Sequence, residues 1–111
     1  MRNYYIDELD PEALKRFAKH LKNNGFQGSL EDIYWLEVPH DLLTEEQADH
    51  FESCGPYVMT LECGPEWINL ELLVRARSRL RCSCIAYAEP EQRAYAVETV
   101  DTMLKELDIP V

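Results

Sequence analysis

Apolar residues recur along this chain in two rhythms, and each rhythm marks a kind of element. Leu14, Phe17, Ala18 and Leu21 follow one another at three- and four-residue intervals, the spacing of one helix face. Asp10 stands ahead of them as an N-cap, and Pro11 takes the first helical position, where its missing N–H costs nothing. Gly25 is the natural stop. The run Ile33-Tyr34-Trp35-Leu36-Glu37-Val38 is β-branched and aromatic and ends at Pro39, which predicts a strand. A second helix opens at Thr44-Glu45-Glu46-Gln47, a capping box, and runs to Cys54, where Gly55-Pro56 interrupts it.

The rhythm then shortens to two. Tyr57, Met59 and Leu61 share a face in residues 57–63, as do Ile68, Leu70, Leu72, Val74 and Ala76 in residues 67–76. Cys82, Cys84, Ala86 and Ala88 alternate likewise over residues 81–88, side chains small enough to lie under a helix. From Pro90 the helical spacing returns with Ala94, Val97, Val100, Leu104 and Leu107, closed by Pro110. The order α-β-α-β-β-β-α predicts an α+β fold: a mainly antiparallel four-stranded sheet with helices packed on it. No linker or low-complexity tract divides the chain, so residues 1–111 are expected to form one globular domain.

The outward positions of that sheet are less polar than a solvated face requires. Val58, Trp67, Leu73, Ile85 and Tyr87 fall there by parity. Either the first helix covers them or a second copy of the chain does.

Charge narrows the function classes. Against 21 Asp and Glu stand 11 Lys and Arg, a formal net charge of −10. Bulk repulsion argues against binding to nucleic acid or to an anionic membrane surface. No apolar run approaches the ~20 residues of a membrane span, and the N-terminus lacks the long apolar segment of a signal peptide. The expected location is the cytoplasm, where disulfides are not the default.

The four cysteines are informative through register. Their bare spacing, Cys54-x8-Cys63-x18-Cys82-x-Cys84, matches no zinc ribbon or finger. Two Cys-Gly-Pro triplets lack the second cysteine of a thioredoxin-type motif, since Tyr57 and Glu66 occupy that position. A hairpin closed by Gly64-Pro65 sets Leu61 opposite Ile68, Met59 opposite Leu70 and Tyr57 opposite Leu72. A turn at Arg77-Ser78-Arg79 sets Val74 opposite Cys84 and Ala76 opposite Cys82. Cys54, Cys82 and Cys84 therefore gather at one end of the sheet, with Cys63 at the other. His50 lies one helical turn before Cys54 and shares its face. These four side chains make a Cys3His set, the ligand count of a closed tetrahedral zinc site. The competing expectation is that the three cysteines are small core residues. On a straight strand the side chains of Cys82 and Cys84 stand ~7 Å apart, too far for one metal.

Arg75, Arg77, Arg79 and Arg81 concentrate positive charge at the same end. Such a cluster suits a bidentately held carboxylate or phosphate, or is neutralised by neighbouring acids. No Ser-His-Asp elbow, glycine-rich phosphate loop, HExxH or EF-hand sequence is present. Three functional readings follow. The first is a non-enzymatic binding or regulatory module with a protein partner or a homodimeric second copy. The second is a zinc or reactive-thiol site at His50, Cys54, Cys82 and Cys84. The third is an enzyme acting on a small anion at the arginine turn.

Overall fold

The computed structural model describes residues 2–111. Five strands form an antiparallel sheet: β1 (Asn3–Ile6), β2 (Ile33–Glu37), β3 (Tyr57–Cys63), β4 (Ile68–Ala76) and β5 (Ala86–Tyr87). Their order is β1-β4-β3-β2, with β5 continuing the β1 side of β4. The helices are α1 (Pro11–Asn23), the short α2 (Glu45–Asp49) and α3 (Phe51–Cys54), and α4 (Pro90–Glu106). The α+β expectation holds, with one strand more than the sequence pattern suggests.

Local signals behave as the chemistry requires. The Ala13 N–H donates to the Asp10 carboxylate at 3.1 Å, and Gly25 follows α1 at φ +82°. Thr44 and Gln47 complete their capping box, at 3.0 and 3.2 Å. The predicted second helix, however, is broken at His50 into α2 and α3.

One apolar core lies on the inner sheet face. Leu14, Phe17 and Leu21 of α1 and Ala96, Val100 and Leu104 of α4 bury against Leu36, Met59, Leu61, Leu70, Leu72 and Val74. Within α4 Val97, Val100, Leu104 and Leu107 face the core as expected, but the buried alanine is Ala96 and Ala94 is exposed. Tyr4 and Ile6 of β1 pack against the same core.

The outer face carries no helix-covered core. Val58 is buried there, but Trp67, Leu73 and Tyr87 lie outside the core cluster, and Ile85 packs into it rather than outward. The expectation that α1 covers this face is therefore corrected. Aromatic and arginine side chains lie across it instead: Tyr5 against Trp67, Arg2 over Tyr87 and Arg77 over Trp35, the last two at 4.2 Å.

Two registers differ from those expected. Leu61 pairs with Leu70 rather than Ile68, and past an irregularity between Val58 and Thr60, Tyr57 pairs with Ala76 rather than Leu72. Val74 pairs with Ala86 rather than Cys84. Each slip is an even number of residues, so the side chains of β3 and β4 keep their faces, whereas Ala86, expected to lie inward under a helix, is exposed. The strand expected over residues 81–88 shortens to Ala86–Tyr87. Cys82 and Cys84 lie instead in the loop that joins β4 to β5.

Candidate metal centre

The site is built where the helical segment before β3 meets the β4–β5 loop. The Cys54 N–H donates to the His50 carbonyl at 2.8 Å, so the single turn of α3 points both side chains the same way. Across from them the chain tightens, with the Ile85 N–H bonded to the Cys82 carbonyl at 3.1 Å. This turn removes the ~7 Å separation that an extended strand would impose on Cys82 and Cys84. Ser78 ties the loop back, its N–H donating to the Cys54 carbonyl at 3.1 Å and its hydroxyl to the Gly55 carbonyl at 2.7 Å.

The result is a compact donor set. One ligand atom from each of His50, Cys54, Cys82 and Cys84 lies within 4.8 Å of all the others. The His50 Nδ1 stands 3.1 Å from the Cys82 Sγ. A zinc–sulfur bond of about 2.3 Å places neighbouring sulfurs of a tetrahedron about 3.8 Å apart, a spacing that falls within the 4.8 Å span of this set. The four residues could bind a metal ion.

Burial differs within the set. Cys54 and Cys84 are 1% and 2% exposed, while His50 and Cys82 are half-buried. The thiols titrate apart accordingly. Hydrogen bonds from Cys84, backbone first, and from His50 lower Cys82 to about 6. Burial raises Cys84 to about 11, against a hydrogen bond from Tyr57 that favours its thiolate. Cys82 is thus the sulfur held toward the thiolate, the metal-binding form.

A polar layer beneath the site holds Cys84 in place. The Tyr57 hydroxyl lies 3.4 Å from the Cys84 Sγ and donates to the Gln47 carbonyl at 2.8 Å. The Gln47 Nε2 donates to the Cys84 carbonyl at 3.1 Å, and its Oε1 accepts from the Gln92 Nε2 at 2.9 Å. Both glutamines are 1% exposed. Neither Tyr57 nor this pair stood out as a site element in the sequence. The available signal is the repeated capping box: Glu89 and Gln92 open α4 as Thr44 and Gln47 open α2, and the two boxes meet side chain to side chain. Outer-shell partners of this kind orient ligands and tune a bound metal.

An acidic rim adjoins the cysteines. Thr44, Glu45, Glu46, Asp49 and Glu89 line an open hollow that reaches Cys84 and Ala86. Glu46 accepts a hydrogen bond from the Ser83 hydroxyl.

The remaining candidates are more dispersed. Arg75 pairs with Glu71 at 3.0 Å on the outer sheet face, and Arg77 stacks on Trp35. Arg79 and Arg81 are exposed on the loop, with no ion pair among the described residues. Cys63 sits opposite Ile68 at the far end of β3, its thiol pushed up to about 12 by burial and by Asp32 and Glu62. Among the described residues no helix is long and apolar enough to cross a membrane. Comparison with family models, with curated proteins and with solved structures gave no match, so the reading of the site rests on its own geometry and chemistry.

Proposed function

We propose that this chain is a zinc-binding domain with a structural Cys3His centre. The convergence of four soft donors from two separate segments, all within 4.8 Å, carries the reading. Three sulfurs and an imidazole suit tetrahedral Zn2+ and disfavour Mg2+ and Ca2+, which take oxygen ligands. Four protein ligands also close the sphere, which favours a structural over a hydrolytic role, since a catalytic zinc keeps an open position. The acids around the hollow supply the field that draws a cation to it.

A physical need for the metal supports the same reading. Residues 77–85 form a loop with no strand or helix of its own, and six of them are exposed. The loop's hydrogen bonds to residues 54–56 are few. Zinc would join it to α3 and fix the approach of β5 to β4.

The test is metal analysis of protein purified without chelator, repeated on three variants. The expected result is close to one zinc per chain in the wild type and in Cys63→Ser, with loss in Cys82→Ser and Cys84→Ser. Sub-stoichiometric metal in the folded wild type refutes the proposal.

A further inference from the structure

We infer that Cys82 is an oxidation site through which a hydroperoxide expels the zinc. The inference rests on the zinc reading above and concerns the regulation of that same site. Two observations carry it. Among the three clustered sulfurs, those of Cys54 and Cys84 are closed off at 1% and 2% exposure, whereas Cys82 remains half-buried and open to a small solute. Both closed sulfurs also lie within 4.8 Å of the Cys82 sulfur, so a resolving thiolate is in reach. Cys63, at the other end of β3, has no part in it.

The chemistry balances with the peroxide as the only oxidant. The Cys82 thiolate attacks one peroxide oxygen. An S–O bond forms, the O–O bond breaks, and the departing hydroxide or alkoxide takes a proton to leave as water or alcohol. The product is a sulfenic acid. The thiolate of Cys54 or Cys84 then attacks the Cys82 sulfur. An S–S bond forms, the S–O bond breaks, and the second hydroxide leaves as water after protonation. Two thiolates lose two electrons and the peroxide gains them. Either disulfide removes two of four ligands, and the remaining cysteine and His50 no longer close a tetrahedral sphere.

The fold supplies the consequence. Cys82 sits in the loop that carries Arg79, Arg81 and Leu80, the last 97% exposed. With zinc bound, the loop is fixed at Cys82 and Cys84. With zinc gone, a Cys54–Cys82 disulfide keeps the loop tied to α3, whereas a Cys82–Cys84 disulfide leaves it to the bonds of Arg77 and Ser78 to residues 54–56, of Gln47 to the Cys84 carbonyl and of Ser83 to Glu46, and to the short β5.

The experiment is a titration of zinc-loaded wild-type protein with hydrogen peroxide, reading released zinc with a colorimetric chelator. Disulfides are mapped by peptide mass spectrometry. The expected result is about one zinc released per chain in step with a disulfide containing Cys82, with Cys63 still reduced, reversed by dithiothreitol and fresh zinc. Amide hydrogen exchange in residues 77–85 should accelerate where the disulfide joins Cys82 to Cys84 and not where it joins Cys54 to Cys82. Retention of zinc at several equivalents of peroxide overturns the inference, as does a first disulfide that omits Cys82. Zinc content measured before oxidation separates the two ideas: absent zinc refutes the metal reading itself, whereas zinc that stays bound refutes only the oxidation site.

Discussion

Replacing Gln47 with leucine tests the polar layer under the site. The substitution removes three side-chain hydrogen bonds: to the Cys84 carbonyl, from the Gln92 amide and from the Thr44 N–H. Thr44 is half-buried and can turn to water, but the Cys84 carbonyl and one Gln92 amide N–H face a closed interior, the other N–H keeping its bond to the Leu42 carbonyl. Each buried group left unpaired costs about 1–3 kcal/mol. The expected loss is therefore about 2–6 kcal/mol of unfolding free energy. With an unfolding entropy of about 2.1 cal/mol/K per residue over 111 residues, that lowers Tm by about 9–26 °C. Calorimetry with urea unfolding would measure it. The double substitution Gln47→Leu with Gln92→Leu should cost less than the sum of the single ones, because each removes a partner the other needs. A loss below about 1 kcal/mol, or strict additivity, refutes the claim that this pair holds Cys84 in place.

Three further outcomes are expected. Tyr57→Phe should leave the fold intact yet weaken zinc binding about 10–100-fold, measured by competition with a chromophoric chelator, because the hydroxyl beside the Cys84 sulfur is lost. In metal-free protein, iodoacetamide should modify Cys82 first. Its thiol is lowered to about 6, so the nucleophilic thiolate fraction and the rate rise with pH through about 6 and then level off. A rate still climbing from pH 8 to 9 contradicts this. Tm should also rise with buffered free zinc, by about 6 °C for each tenfold increase above Kd, since each decade adds about 1.4 kcal/mol; a Tm indifferent to zinc argues against coupling of the metal to the fold.

Much of this architecture is legible in the residue pattern, and the departures have identifiable causes. Asp10, Pro11 and Gly25 bound α1 as capping chemistry demands, and the two-residue rhythms of β3 and β4 place the right side chains in the core. The gathering of Cys54, Cys82 and Cys84 survives two wrong registers because the loop after β4 is tied back to residues 54–56 by Arg77 and Ser78. The strand β1 escapes the pattern: Asn3–Ile6 is only four residues, and its pairing partner β4 lies more than sixty residues away. The cysteine alternation over residues 82–88 imitates a strand, but the chain turns between Cys82 and Ile85. That turn brings the two sulfurs within reach of one metal, which the straight-strand expectation excluded. Gln47 and Gln92 read locally as caps, and nothing local says that the two caps would meet.

Cobalt substitution tests the central claim most directly, because Co2+ reports its own geometry and ligands. Reduced, metal-free protein titrated with Co2+ is expected to saturate at one ion per chain. The spectrum should show intense tetrahedral ligand-field bands and thiolate-to-metal charge transfer, both abolished by one equivalent of Zn2+. Cys63→Ser should leave that spectrum unchanged, while His50→Ala, Cys54→Ser, Cys82→Ser and Cys84→Ser each alter it. A weak octahedral spectrum, or one that responds to Cys63→Ser as strongly as to Cys82→Ser, contradicts a zinc centre at these four residues.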